Sequence, residues 1–100
     1  MSSFFQVGEL VLDPDHQQAF IKGKLIDLRR KEFDILYFLA RHQGGVVYKN
    51  DLLEYLWDFL FHRETNTLES HSASLRSKIG EQAIKTFYGL GYALFPHSLV

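Results

Sequence analysis

Few side-chain groupings in this chain have the types and spacing that chemistry demands. Ser70 and Ser72 flank His71, which sets two hydroxyl nucleophiles beside a base. Neighbours that close on a helix diverge in direction, so they cannot form a nucleophile–base pair. His16, His42, His62, His71 and His97 share no metal-ligand spacing. Gly89-Leu90-Gly91 lacks the following helix and lysine of a phosphate loop and reads as a turn. The chain has no cysteine, which removes disulfides, thiolate chemistry and cysteine zinc sites together. No enzyme, cofactor or metal is therefore expected. What remains is binding chemistry. Ser70, Ala73, Ser74 and Ser77 form a small, uncharged strip on one helix, with Arg76 and Lys78 beside it.

Those residues need a helix and a hairpin to position them, and residues 64–95 supply both. Asn66 followed by Glu69 is a capping-box-like start. Leu68, Leu75 and Ile79 then repeat on one helical face, and Gly80 is the expected stop. Ile84, Thr86 and Tyr88 alternate with Lys85 and Phe87 as in a strand. Gly89-Leu90-Gly91 supplies the reversal, and Tyr92 to Phe95 returns. A helix feeding a glycine-tipped hairpin is similar to a winged helix, a geometry that suggests a nucleic-acid reader.

Ahead of that stretch, Phe5–Val7, Leu10–Leu12, Ala19–Ile21 and Leu25–Leu28 read as four short strands separated by turns, an antiparallel meander. Arg30 to His42 is the clearest helix. Phe33, Leu36, Tyr37 and Ala40 form one apolar stripe, and Ile35, Phe38 and Leu39 a second. A helix apolar on two flanks must be covered from both sides. Val46-Val47 reads as an extended link, and Asn50 or a neighbour caps a second helix running to about Trp57, with Leu52, Leu53 and Leu56 inward. The reading is one α+β domain over residues 1–100, with sheet 4–28, helices about 30–42, 50–57 and 66–79, and wing 84–95.

At 46% hydrophobic and 15% aromatic residues, the chain is far too apolar to be disordered. No apolar run approaches the roughly 20 residues that span a bilayer, and Met1-Ser2-Ser3 lacks the start of a signal peptide. A cytoplasmic location follows. Charge argues against an ordinary DNA binder: the chain carries eleven basic and twelve acidic side chains, whereas binding to phosphates draws on a basic excess. From Thr65 to Phe95, Arg76, Lys78 and Lys85 stand against Glu69 and Glu81, a local excess of one. Arg29-Arg30-Lys31 is diluted by Asp27, Glu32 and Asp34 and reads as a solvated turn.

GELVLDP at 8–14, KEFDILYFLARH at 31–42, DLLEYLW at 51–57, TNT at 65–67 and TFYGLGYAL at 86–94 together resemble one module. It is the OmpR/PhoB-type winged-helix DNA-binding effector domain of bacterial response regulators, the output half of two-component systems. The resemblance implies a winged helix-turn-helix: an N-terminal four-stranded antiparallel sheet, three helices and a C-terminal β-hairpin wing. It implies double-stranded DNA as partner, with the third helix in the major groove and the hairpin tip at the adjacent minor groove. It also implies that the loop before the third helix touches RNA polymerase. By that resemblance Trp57, Asn66, Thr67, His71, Arg76, Thr86 and Tyr92 are phosphate-positioning candidates. Ala73-Ser74 stand where the family has two consecutive basic residues, Tyr88 where it has the wing-tip arginine, and Ala93 where a further arginine follows the tyrosine. Ser72 replaces an aliphatic residue, and its hydroxyl is expected to bond the carbonyl one turn back.

Each candidate has a plainer reading. Trp57 is balanced between core-edge aromatic and phosphate donor, and His71 leans toward a structural role. Arg76 reads as an exposed helix cation either way, with DNA contact the favoured role. Asn66 is a helix cap before anything else, and Tyr88 is left between a wing strand and a sugar contact. With its usual arginines absent, the third helix would read sequence through Ser70, Ser74 or Ser77, apolar contacts or DNA shape. The competing reading is a winged helix repurposed for protein binding, as a homodimer or with polymerase through Phe59-Leu60-Phe61. Against an exposed Phe59-Leu60-Phe61 patch stands the rarity of large apolar surfaces on monomers.

Overall fold

The computed structural model describes residues 4–42, 45–56 and 65–100. Trp57 and Phe59-Leu60-Phe61 lie outside the described residues, as do the side chains of Thr65, Asn66 and Thr67.

Strands β1 (Phe5–Val7), β2 (Leu10–Asp13), β3 (Gln18–Ile21) and β4 (Lys24–Ile26) form a four-stranded antiparallel meander in chain order. Leu10 pairs with Ile21 and Leu12 with Ala19, and all four side chains are buried. Helix α1 (Arg30–Arg41) lies against this meander, where the Phe5 ring meets Tyr37 edge-on at 6.1 Å. Its other flank packs on helix α2 (Lys49–Leu56), helix α3 (Thr65–Ile79) and the final strand. Phe33, Ile35, Leu36, Leu39 and Ala40 are buried, as two apolar stripes on one helix require. Leu52, Leu53 and Leu56 face inward from α2. The Lys31 ammonium donates to the Leu56 carbonyl, tying the last described turn of α2 to α1.

The third strand of the wing sheet departs from expectation. Val47–Tyr48 forms strand β5, which pairs antiparallel with β7 (Gly91–Leu94), and β7 in turn pairs with β6 (Ile84–Phe87). The sheet order β5-β7-β6 puts β7 in the centre, and all four of its residues are buried instead of alternating. The expected link at Val46-Val47 is therefore a pairing strand in its second residue and beyond. Gly91 belongs to β7 and not to the reversal. A Cβ there would lie 1.9 Å from the Val47 carbonyl oxygen, so close approach of β5 demands glycine. Tyr88 falls outside β6, at the hairpin tip.

Other boundaries move by a residue or two. Strand β4 ends at Ile26 and not Leu28, α2 opens at Lys49 so that Asn50 is inside it, and α3 opens at Thr65. Asn66 thus sits within the first turn of α3 instead of capping it. Gly80 ends α3 as expected, with a φ of +127°. Its missing side chain also admits the C-terminal residues: a Cβ would meet the Ser98 carbonyl at 2.7 Å, while the Val100 N–H bonds the Ile79 carbonyl at 3.0 Å.

Candidate nucleic-acid interface

Leu68, Ser72, Leu75 and Ile79 fall at i, i+4, i+7 and i+11 and are all buried, so they define the inner face of α3. Ser72 is the polar member of that stripe, and its hydroxyl has no hydrogen-bond partner. The expected bond to the carbonyl one turn back is not made. The nearby Tyr92 phenol is influenced by the Ser72 hydroxyl without the two reaching good hydrogen-bond geometry. Burial raises the Tyr92 phenol above its ordinary value, Glu69 adds to the rise, and Ser72 and Arg76 oppose it. Tyr92 is 4% exposed, so little more than an edge of it reaches the surface.

The flank of α3 turned to α1 is organised by a carboxylate that periodicity did not reveal. Glu32 is fully buried, yet it accepts from the Arg29 backbone N–H at 2.8 Å, from the Lys78 ammonium at 2.7 Å and from the Ser74 hydroxyl. Burial pushes its carboxyl up, but those three hydrogen bonds and the Lys78 charge outweigh burial and hold it below the usual carboxylate range. Ser74 and Lys78 are thereby turned toward the protein interior. Of the strip foreseen on α3, Ser70, Ala73 and Ser77 are exposed. The Ser77 hydroxyl donates back to the Ser74 carbonyl at 2.7 Å.

The opposite flank meets the wing. Arg76 is half-buried, not a free exposed cation: its Nε–H donates to the Ile84 carbonyl and its Nη2 to Thr86 Oγ1, both at 3.1 Å. Two of five guanidinium N–H groups are thus used, and both acceptors are uncharged. Among the described residues Arg76 has no ion pair, so its full charge stays at the seam between α3 and β6. Thr86 is exposed beside it and stands opposite Tyr92 in the β6–β7 register. His71 is half-buried at the edge of the inner face. Tyr88 is 93% exposed at the tip.

Three residues join the surface that sequence reasoning did not single out. Lys49, at the start of α2, reaches Glu69 on α3 at 3.8 Å, and its backbone N–H bonds the Leu90 carbonyl at 2.9 Å. Asn50 and Leu90 lie alongside. Nothing in the local pattern marks them, because the β5–β7 pairing that brings them to the wing is itself two residues long.

A helix with an exposed polar strip, locked at its flank to a β-hairpin whose tip stands free, defines a winged-helix domain of the kind that reads nucleic acid. Comparison with known proteins gives the family. Residues 23–94 match the family described as "Transcriptional regulatory protein, C terminal", and the chain belongs to it, the OmpR/PhoB-type effector domain. It is 38% identical over 93 residues to the alkaline phosphatase synthesis transcriptional regulatory protein PhoP of Bacillus subtilis, covering 88% of this chain and 39% of that protein. The chain thus spans well under half of this curated relative. Among solved structures, the DNA-binding domain of CpxR from E. coli superposes with a TM-score of 0.77 at 31% identity, covering 93% of this chain and 96% of that one. The Klebsiella pneumoniae RstA DNA-binding domain, solved in complex with RstA box, gives a TM-score of 0.78 at 27% identity, covering 95% and 99%. Among the described residues no helix is long and apolar enough to cross a membrane.

Proposed function

We propose that this chain works as one winged-helix unit, the cytoplasmic DNA-binding part of a bacterial response regulator, and carries out no chemical step of its own. The observation that carries this reading is the Arg76 bridge, which fixes β6 to α3 and, among the described residues, leaves a cation unneutralised where the two meet. With α3 in a major groove, the seam faces a phosphate strand. There Arg76 and Thr86 position the helix, and Trp57, Asn66, Thr67 and His71 are the further phosphate contacts we propose. Base edges are left to the exposed Ser70, Ala73 and Ser77, since Ser74 and Lys78 are held by Glu32. Such a surface makes few charge-assisted contacts and depends on groove shape more than on bidentate arginine reading.

The test is a titration of isotope-labelled protein with mixed-sequence duplex at low salt. Amide shifts confined to residues 65–79 and 84–92 are expected. No shifts at sub-millimolar duplex would sink the assignment and leave a protein-contact role, with polymerase or a second copy, in its place.

A further inference from the structure

The family match stops at residue 94, where β7 ends. Residues 95–100 turn back from there and are stapled to the end of α3 twice. The Phe95 N–H bonds the Ala83 carbonyl at 2.7 Å, and the Val100 N–H bonds the Ile79 carbonyl at 3.0 Å. Between the staples, Pro96–Ser98 makes one turn of 3-10 helix and Leu99, 9% exposed, joins the core. The β1–β2 turn backs this segment, close enough that a Cβ on Gly8 would touch Pro96 at 3.5 Å.

A helix leaves its last four carbonyls without partners of its own. Lys78 and Arg76 hold α3 by its flanks, to Glu32 and to the wing. Neither grips its end. There the Gly80 N–H takes the Arg76 carbonyl, the Ala83 N–H takes the Gly80 carbonyl, and Val100 supplies the donor for Ile79. Ala83 leads directly into β6 and Phe95 directly out of β7, so the same staples pin the root of the wing. The segment thus joins the end of the helix, the base of the hairpin and the first sheet.

We infer that residues 95–100 are a positioning strap, which holds α3 and the wing at one fixed angle so that both reach a duplex together. This rests on the DNA reading above. Arg76 joins the two elements along their seam and the strap joins them at the base, and two separated attachments prevent one from turning on the other. A surface already ordered before contact binds more tightly. Loosening the strap therefore lowers affinity without removing a charge, since residues 95–100 contain no lysine or arginine.

The test is Val100→Pro, which deletes the N–H that bonds Ile79. Leu99 already has the backbone that a residue before proline favours, with φ −67° and ψ 144°, and Val100 itself is 69% exposed. Val100→Ala keeps the N–H, and Leu99→Ala trims the buried anchor. Amide exchange and titration with mixed-sequence duplex over a salt series are measured well below each melting transition, where stability alone does not register. In Val100→Pro the Gly80, Ala83 and Phe95 amides should exchange about fivefold faster and duplex binding should weaken about fivefold. Amides of α1 and the slope of log affinity against log salt should not move. Leu99→Ala should act in the same direction and further, and Val100→Ala should match wild type. Unchanged exchange at the three amides would overturn the inference. So would a rise shared by α1, which would make the strap a general stabiliser, or faster exchange with affinity intact, which would make it a helix cap alone. A fall in salt slope would put the segment on phosphates and overturn it too. A wild-type chain that binds no duplex would overturn the DNA reading itself, and the positioning role with it.

Discussion

The flank of α3 turned to α1 and the flank turned to the wing each hold one cation, two residues apart. Lys78, with 32% of its side chain exposed, is committed to a buried carboxylate, and the two charges offset each other. Among the described residues Arg76 bonds only neutral oxygens and makes no ion pair. Counting charge along the helix treats the two as equals. The structure separates them: one is paired with a carboxylate on α1, and the other bridges to the wing through uncharged oxygens. The surface of α3 is therefore less basic than its sequence: of its two cations, Arg76 alone is clear of a carboxylate among the described residues.

The contrast is sharpened first by Lys78→Met. That substitution leaves Glu32 buried without its counter-charge, at a cost of about 3 kcal/mol, which thermal melting should report as a drop of roughly 15 °C. The salt slope of DNA binding should not move, and a normal melting temperature would show that Glu32 does not rely on Lys78. Arg76→Ala should do the reverse. Losing two hydrogen bonds to the wing costs about 1–2 kcal/mol in a denaturant titration, while the salt slope falls by about one. Arg76→Lys keeps the charge but not the fork, so it should restore the slope without restoring the wing contact.

Acid should act on the α1 flank. The Glu32 carboxyl lies below its ordinary 4.5 in the folded chain, so its stabilisation is complete above its unfolded value and drains away as pH falls through its folded one. Glu32→Gln should flatten the dependence of stability on pH in that acid window; an unchanged profile would remove Glu32 from it. The smallest effect belongs to the inner stripe. Ser72→Ala removes a buried hydroxyl without a partner and should raise stability by about 1 kcal/mol. A loss instead would mean that Ser72 bonds the Tyr92 hydroxyl in solution.

Much of the frame could be read from the chain. The two stripes of α1, the turns of the first sheet and the Gly80 stop are local patterns, each set by a period or a backbone angle. Lys78 and Ser74 could not be assigned that way, because their partner lies 46 and 42 residues earlier. Nothing nearby distinguishes Glu32 from the solvated charges around it. Strand β5 has two residues, too few for any alternation to show, and without it nothing in the sequence moves Gly91 from the turn to a strand crossing. Arg76 was legible as a candidate, but its bonds to β6 depend on where the hairpin comes to rest. The faces of α3 were thus readable by position, and the partners that hold Ser74, Arg76 and Lys78 were not.

Helix α2 is held at both described ends: its first N–H bonds the Leu90 carbonyl beside the wing tip, and its last carbonyl accepts from Lys31 on α1. Because β5 runs straight into it with no residue between, this helix behaves as a strut. Its two anchors thereby join the wing turn to α1 through a single element.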